Sequence, residues 1–182
     1  MKKIIIFSAL SSMLAISGVQ AEGHGTINFT GKVNSQTCNA SINGSSGAPA
    51  TVVLPTVQAS ILSDAGKTAG QTAFKINVTD CDVSTLNGSG TVKAYFEKGA
   101  GVDSNGRLIN TDNGGASNVV LELVDGTSNL PITVGDISQT NNNYVTISNG
   151  SATLPYSVRY YATGVASAGV VKSDVTYSLI YY

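Results

Sequence analysis

The sequence predicts an all-β protein, a sandwich or barrel, on three observations. Short runs rich in β-branched and aromatic residues recur from residue 25 to residue 182, and turn chemistry separates them: NGSSG, LNGSG, DSNGR, DNGG, DGTSN and SNG. No segment sustains an apolar period of 3.6 over the length a helix needs. Two cysteines, Cys38 and Cys81, fall in two different predicted strands. A disulfide between strands favours the immunoglobulin-like form of sandwich.

The chain opens on MKKIIIFSALSSMLAISGVQA, residues 1–21, which has the pattern of a cleaved secretory signal. Lys2 and Lys3 supply the basic start, Ile4 to Ile16 the apolar stretch, and Val19 and Ala21 the small residues around Gln20. The apolar stretch is shorter than the ~20 residues of a membrane span. Cleavage after Ala21 leaves residues 22–182, a length suited to one domain with its own core. Export also places Cys38 and Cys81 in an oxidising compartment, where they are expected to pair. Closing a loop of that length constrains the unfolded chain by roughly 4 kcal/mol in the chain-entropy account.

The first predicted strand is GTINFTGKV, residues 25–33. Gly25, Ile27, Phe29, Gly31 and Val33 share one face, while Thr26, Asn28, Thr30 and Lys32 make the other face polar. Glycine on a buried strand face marks a place where another backbone or side chain comes close. Nothing anchors this segment to its own domain before Cys38, so it is free to join the sheet of another molecule. Further strands are expected at 36–42, 50–55, 71–81, 91–98, 118–125, 143–148 and 152–163. Residues 57–70, VQASILSDAGKTAG, hold at most a helical turn and read as a loop because of their two glycines. The last run is VTYSLIYY, residues 175–182. Val175, Tyr177, Leu179 and Tyr181 alternate with Thr176, Ser178, Ile180 and Tyr182, so the final residues read as sheet interior. There is no internal repeat and no Pro-rich or charged linker.

Composition argues against several functions. The formal net charge is −1, and it becomes more negative once Lys2 and Lys3 leave with the signal, so nucleic acid and anionic membranes are not expected partners. His24 is the single histidine and lies near the start of the mature chain. With both cysteines paired and one histidine, a zinc site has no ligands and a Ser-His-Asp set has at best His24 as its base, so no enzyme activity or cofactor is expected. TDCD (79–82) and DSNG (103–106) lack the downstream glutamate of a calcium loop and read as turns. Asn-x-Ser/Thr triplets at Asn28, Asn39, Asn43, Asn77, Asn87 and Asn149 follow from the abundance of these residues, and several fall inside predicted strands. The eight tyrosines leave one alternative open, a secreted monomeric sandwich that binds carbohydrate.

Four features carry a resemblance: GTINFTGKV followed by Cys38, the second cysteine in NVTDCD, the RYYATG-x4-G stretch from Arg159 to Gly169, and the terminal strand with its penultimate Tyr181. In this order and spacing they resemble the structural subunits of chaperone-usher pili, of the type 1 fimbrial kind, over the whole mature chain. The resemblance implies an incomplete immunoglobulin-like sandwich that lacks its last strand, with a groove beside the C-terminal strand. It implies that residues 22–34 are a donor extension carrying Gly25, Ile27, Phe29, Gly31 and Val33, and that residues 35–182 are the pilin domain. Val175, Tyr177, Leu179, Tyr181 and Tyr182 would form the acceptor groove and the chaperone contact, and Cys38–Cys81 would be the family disulfide.

The implied function is structural: head-to-tail polymerisation with identical or related pilins into a surface fimbrium used for adhesion. This pilin mechanism is itself a standard example of β-augmentation. The implied partners also include a periplasmic chaperone that grips the carboxylate at Tyr182, and an outer-membrane usher. Within the family a minor adaptor subunit is the alternative, whereas a tip adhesin needs a further receptor-binding domain.

Overall fold

The structure is a computed structural model that describes residues 27–31, 38–45, 49–85, 90–141 and 143–182. The chain divides into two units, Met1–Val33 and Asn34–Tyr182, taken separately below. In the first, residues 27–31 are described; they form no strand, and Ile27 and Phe29 are 75% and 89% exposed. The strand expected over 25–33 is therefore absent across 27–31. Alternation fixes which side chains would face inward, but a strand also needs a ladder partner. Gly25 and Val33 lie outside the described residues.

The second unit is all β apart from short 3-10 turns. Its strands in chain order are β1 (Asn39–Ile42), β2 (Thr68–Thr79), β3 (Thr91–Phe96), β4 (Leu108–Ile109), β5 (Val119–Asp125), β6 (Val145–Thr146), β7 (Ala152–Ala162) and β8 (Tyr177–Tyr181). One antiparallel sheet runs β1-β2-β7-β5-β4, and the other runs β6-β3-β8. The sheets meet through a shared core. Phe74, Ile76 and Val78 come from β2, Leu121 and Leu123 from β5, and Leu154, Tyr156 and Val158 from β7; Val92, Ala94 and Phe96 of β3 close it from the other side. Each set has the period-2 spacing that sends alternate side chains to one face. Cys38, just before β1, is bonded to Cys81, just after β2, across Cα atoms 4.2 Å apart.

Other differences from the sequence reading have physical causes. Residues 50–55 are in no strand, although Val52 and Leu54 pack against the core. Residues 57–70 contain a 3-10 turn at Ala59–Leu62, and β2 begins earlier than expected, at Thr68. A register shift between Ala69 and Thr72 admits the early start, with Gly70 taking a positive φ of 63°. Val175 and Thr176 precede β8 rather than belonging to it. β4 is only two residues long and carries no period to read.

Pro155 sits inside the central strand β7, where a missing donor usually breaks a ladder. Its partner Lys75 turns both main-chain groups toward Asn43, away from β7. The polar groups of Pro155 therefore face the other way, where β5 has ended at Asp125 and the Gly126 N–H donates to the Pro155 carbonyl at 3.0 Å. The absent N–H falls where no strand needs it. Among the described residues no helix is long and apolar enough to cross a membrane.

Candidate functional site

β8 pairs with β3 and, among the described residues, with no other strand. The register decides which of its main-chain groups remain open. Thr91 and Tyr182 exchange both main-chain bonds at 3.0 Å, and the Glu97 N–H donates to the Thr176 carbonyl at 2.9 Å. Bonding pairs alternate along an antiparallel ladder, so Thr176, Ser178, Ile180 and Tyr182 turn their polar groups toward β3. Tyr177, Leu179 and Tyr181 consequently turn theirs toward the open edge. These three also send their side chains, with Val175, against the core.

The far edge of β3 is treated differently. β6 pairs with it only at Thr91 and Val92. Beyond that point side chains take over. The Ala94 N–H donates to the Tyr156 hydroxyl at 3.2 Å, and the Phe96 N–H donates to Gln139 Oε1 at 3.0 Å. One edge of this sheet is thus satisfied from within the domain, while the edge along β8 is left for something else.

Beside the start of β8 lies a groove of about 510 Å³. Val175 and Tyr177 form one wall, and Pro49, Ala50, Val52 and Leu54 form the other. Phe74, Phe96, Leu121, Leu123 and Val158 make the floor, and there the aromatic rings stack: Phe96 lies edge-on to Tyr156 at 5.0 Å between centroids and 6.5 Å from Tyr177. Burial pushes the Tyr156 hydroxyl up to about 12 and raises Tyr177 as well. Tyr177, the phenol in the lining, therefore adds no charge to the groove at physiological pH. Asp174 is the one ionisable carboxylate in the lining. Among the described residues no three His, Cys, Asp or Glu side chains gather as a metal site. An apolar trough beside a row of open main-chain donors and acceptors suits an extended polypeptide rather than a reaction centre.

Of the residues singled out in the sequence, Val175, Tyr177, Leu179 and Tyr181 come together on the core side of this edge. Tyr182 is 70% exposed and its ring lies 6.1 Å from that of Tyr144. Ile27, Phe29 and Gly31 belong to the other unit, and a Cβ built on Gly31 meets nothing within 4 Å. The sequence reading missed the second wall. Its signal was present in ATVVLP, where Val52 and Leu54 alternate between Pro49 and Pro55.

The family model FimA, type-1 fimbrial protein A, matches residues 54–182, which include β2 to β8. The chain belongs to the type-1 fimbrial protein family. The major fimbrial subunit SMF-1 of Stenotrophomonas maltophilia is 44% identical to this fimbrial protein, over 93% of this chain and 99% of the relative. A type-1 fimbrial protein A chain of Escherichia coli is 30% identical, over 98% and 96% of the two chains. Among solved structures, the P pilus rod subunit PapA shares the fold with a TM-score of 0.59 at 20% identity, covering 79% of this chain and 99% of that one. This fimbrial protein is a structural subunit of a surface fimbria and not an enzyme.

Proposed function

We propose that the fimbrial subunit polymerises head to tail by strand addition, residues 22–34 of one copy entering the groove beside β8 of the next. The observation that carries this reading is the row of open main-chain groups at Tyr177, Leu179 and Tyr181 beside an apolar groove. An uncovered edge of that kind pairs with whatever extended chain it meets. The donor face of Ile27, Phe29 and Val33 matches the trough in chemistry, and burying each side chain gains about 1.5–3 kcal/mol. Gly31 on the same face lets the inserted backbone approach closely. The contact joins two different surfaces and does not close on itself, so it builds a filament.

In this reading residues 1–21 are removed on export and residues 35–182 form the pilin domain. A periplasmic chaperone covers the same edge first, with the carboxylate at Tyr182 as its handle, and an outer-membrane usher receives the complex. The SMF-1 relative is named a major fimbrial subunit, which favours the fibre-building role over that of a minor adaptor.

The test is size-exclusion chromatography with light scattering on the mature protein. It is compared with a form in which a copy of residues 22–35 follows Tyr182 through a flexible linker and the native arm is removed. The expected result is polymer or chaperone complex for the native form and a stable monomer for the self-complemented one. A native chain that is already a stable monomer and gains nothing from the added strand overturns the reading, and a carbohydrate-binding monomer then takes its place.

A further inference from the structure

Asn-Gly pairs punctuate the chain at Asn43, Asn87, Asn105, Asn113 and Asn149. The dipeptide suits turns, and it also exposes the asparagine side chain to attack by the next main-chain nitrogen, since glycine puts no Cβ in the way. That attack needs a carboxamide not held by hydrogen bonds, a glycine N–H that is not donating, and room for the peptide between them to rotate. Asn87 lies outside the described residues, and the other four pairs differ in these freedoms.

At Asn43 the main-chain N–H donates to the Lys75 carbonyl at 2.9 Å, and Oδ1 accepts from the Lys75 N–H at 2.8 Å, so the carboxamide is tied. At Asn105 the main-chain N–H donates to Asp103 Oδ1 at 2.8 Å. The following Gly106 is buried against Thr133 and Val134, and its N–H donates to the Asp103 carbonyl at 3.2 Å. Asn149 stands in a hairpin that Ser148 and Ser151 close with main-chain bonds of 2.9 and 3.0 Å, and the Gly150 carbonyl accepts from the Cys81 N–H at 3.0 Å.

Asn113 has none of these restraints. It and Gly114 are both exposed, and neither the Asn113 carboxamide nor the Gly114 N–H has a hydrogen-bond partner among the described residues. A Cβ built on Gly114 meets nothing within 4 Å. The flanks are firm by contrast. The Gly115 N–H donates to the Asp112 carbonyl at 3.1 Å, and the Asn110 carboxamide binds the main chain at Asp112, Ala116, Val170 and Lys172. With Gly114 at a φ of 86° in the third position of this turn, the central peptide rotates while the ends stay fixed.

We infer that Asn113 is a site of spontaneous modification. Base removes the proton of the Gly114 N–H, and the nitrogen attacks Asn113 Cγ. The new N–Cγ bond forms, the Cγ–Nδ2 bond breaks, and ammonia leaves with a proton taken from solvent. Water then opens the succinimide at either carbonyl to give aspartate or isoaspartate, and no oxidant, metal or enzyme takes part. The product carboxylate lies beside Asp112, whose Oδ1 is paired with Lys172 Nζ at 2.6 Å. Each converted copy adds a negative charge there, so a surface fimbria becomes more acidic as it ages.

The experiment incubates the purified mature subunit in mildly alkaline buffer, folded and in denaturant with its disulfide intact, and follows each Asn-Gly pair by peptide mass spectrometry. In the folded protein Asn113 is expected to convert about tenfold faster than Asn43, Asn105 and Asn149, equivalent to a barrier lower by about 1.4 kcal/mol. In denaturant that lead is expected to close. Conversion at any of the other three as fast as at Asn113 in the folded protein overturns the assignment. A lead that persists undiminished in denaturant overturns it too, because the local sequence and not the fold would then set the rate.

Discussion

The side-chain amide of Gln139 holds both main-chain polar groups of Phe96: Oε1 accepts from the Phe96 N–H at 3.0 Å, and Nε2 donates to the Phe96 carbonyl at 3.1 Å. Gln139 is itself buried and reaches β3 from the 3-10 turn Ile137–Thr140, whose start is capped by Asp136 accepting from the Ser138 N–H. One glutamine thus substitutes for a strand on the edge that β6 leaves uncovered. Gln139→Leu removes it at nearly constant volume and strands the Phe96 N–H, while the Gly135 N–H still serves the carbonyl at 3.0 Å. The expected loss is about 2 kcal/mol, seen as a lower denaturant midpoint of the self-complemented form at unchanged slope.

Tyr156 makes the neighbouring contact, and it titrates. Burial raises its hydroxyl to about 12, and Tyr160 and Tyr177 are raised by the same cause. A folded-state value above the unfolded value of about 10 means that the folded protein holds the proton more tightly. The stabilisation is therefore complete below about pH 10 and is lost as pH rises toward 12. Unfolding free energy measured across that window should fall, and Tyr156→Phe should flatten most of the fall. At neutral pH the same variant loses the acceptor of the Ala94 N–H and should be less stable by about 1–2 kcal/mol.

Much of the edge was legible in the sequence because period 2 assigns faces directly. Tyr177, Leu179 and Tyr181 were placed on one face by alternation, and that face meets the core. The strand expected over 50–55 does not form, although Val52 and Leu54 both pack against the core, since alternation records a face and not a ladder partner. What satisfies the far edge of β3 could not be read at all. Gln139 and Tyr156 act on residues 43 and 62 positions away, and nothing in a local pattern ties such pairs together. RYYATG-x4-G was legible as a motif but not as a mechanism. In the structure Arg159 binds Glu122, and a Cβ on Gly169 would overlap the backbone of Gly115 and Ala116, so the motif fixes a close approach between two loops.

Glu122 gives that motif an energetic test. Its carboxylate is buried in β5 between two arginines: Arg107 Nε donates to Oε1 at 3.0 Å, while Arg159 Nε and Nη2 donate to Oε2 at 2.8 and 2.6 Å. Arg107 also lies 3.7 Å over the centre of the Tyr161 ring. Glu122→Ala leaves two guanidinium groups side by side without their counter-charge. Removing one member of a buried ion pair costs more than the pair gains, and the expected destabilisation is about 3 kcal/mol, measured by chemical denaturation. Replacing the whole trio with apolar residues should recover much of that loss.

Gly31 separates a defect in assembly from a defect in folding. In the described segment a Cβ on Gly31 meets nothing within 4 Å, so Gly31→Val strains no contact of its own unit. Its branched side chain comes to matter only when the segment enters a groove, where it would hold the inserted backbone away from Tyr177 and its neighbours. Yield of the unassembled subunit should therefore match wild type, while fibre yield should fall by an order of magnitude or more, since the lost close approach removes several ladder bonds at about 1 kcal/mol each. Counting fibres by electron microscopy alongside the unassembled fraction reads both quantities from one culture. Normal fibre yield from Gly31→Val would mean that the segment enters no closely fitting groove, and the filament would then need a different joint.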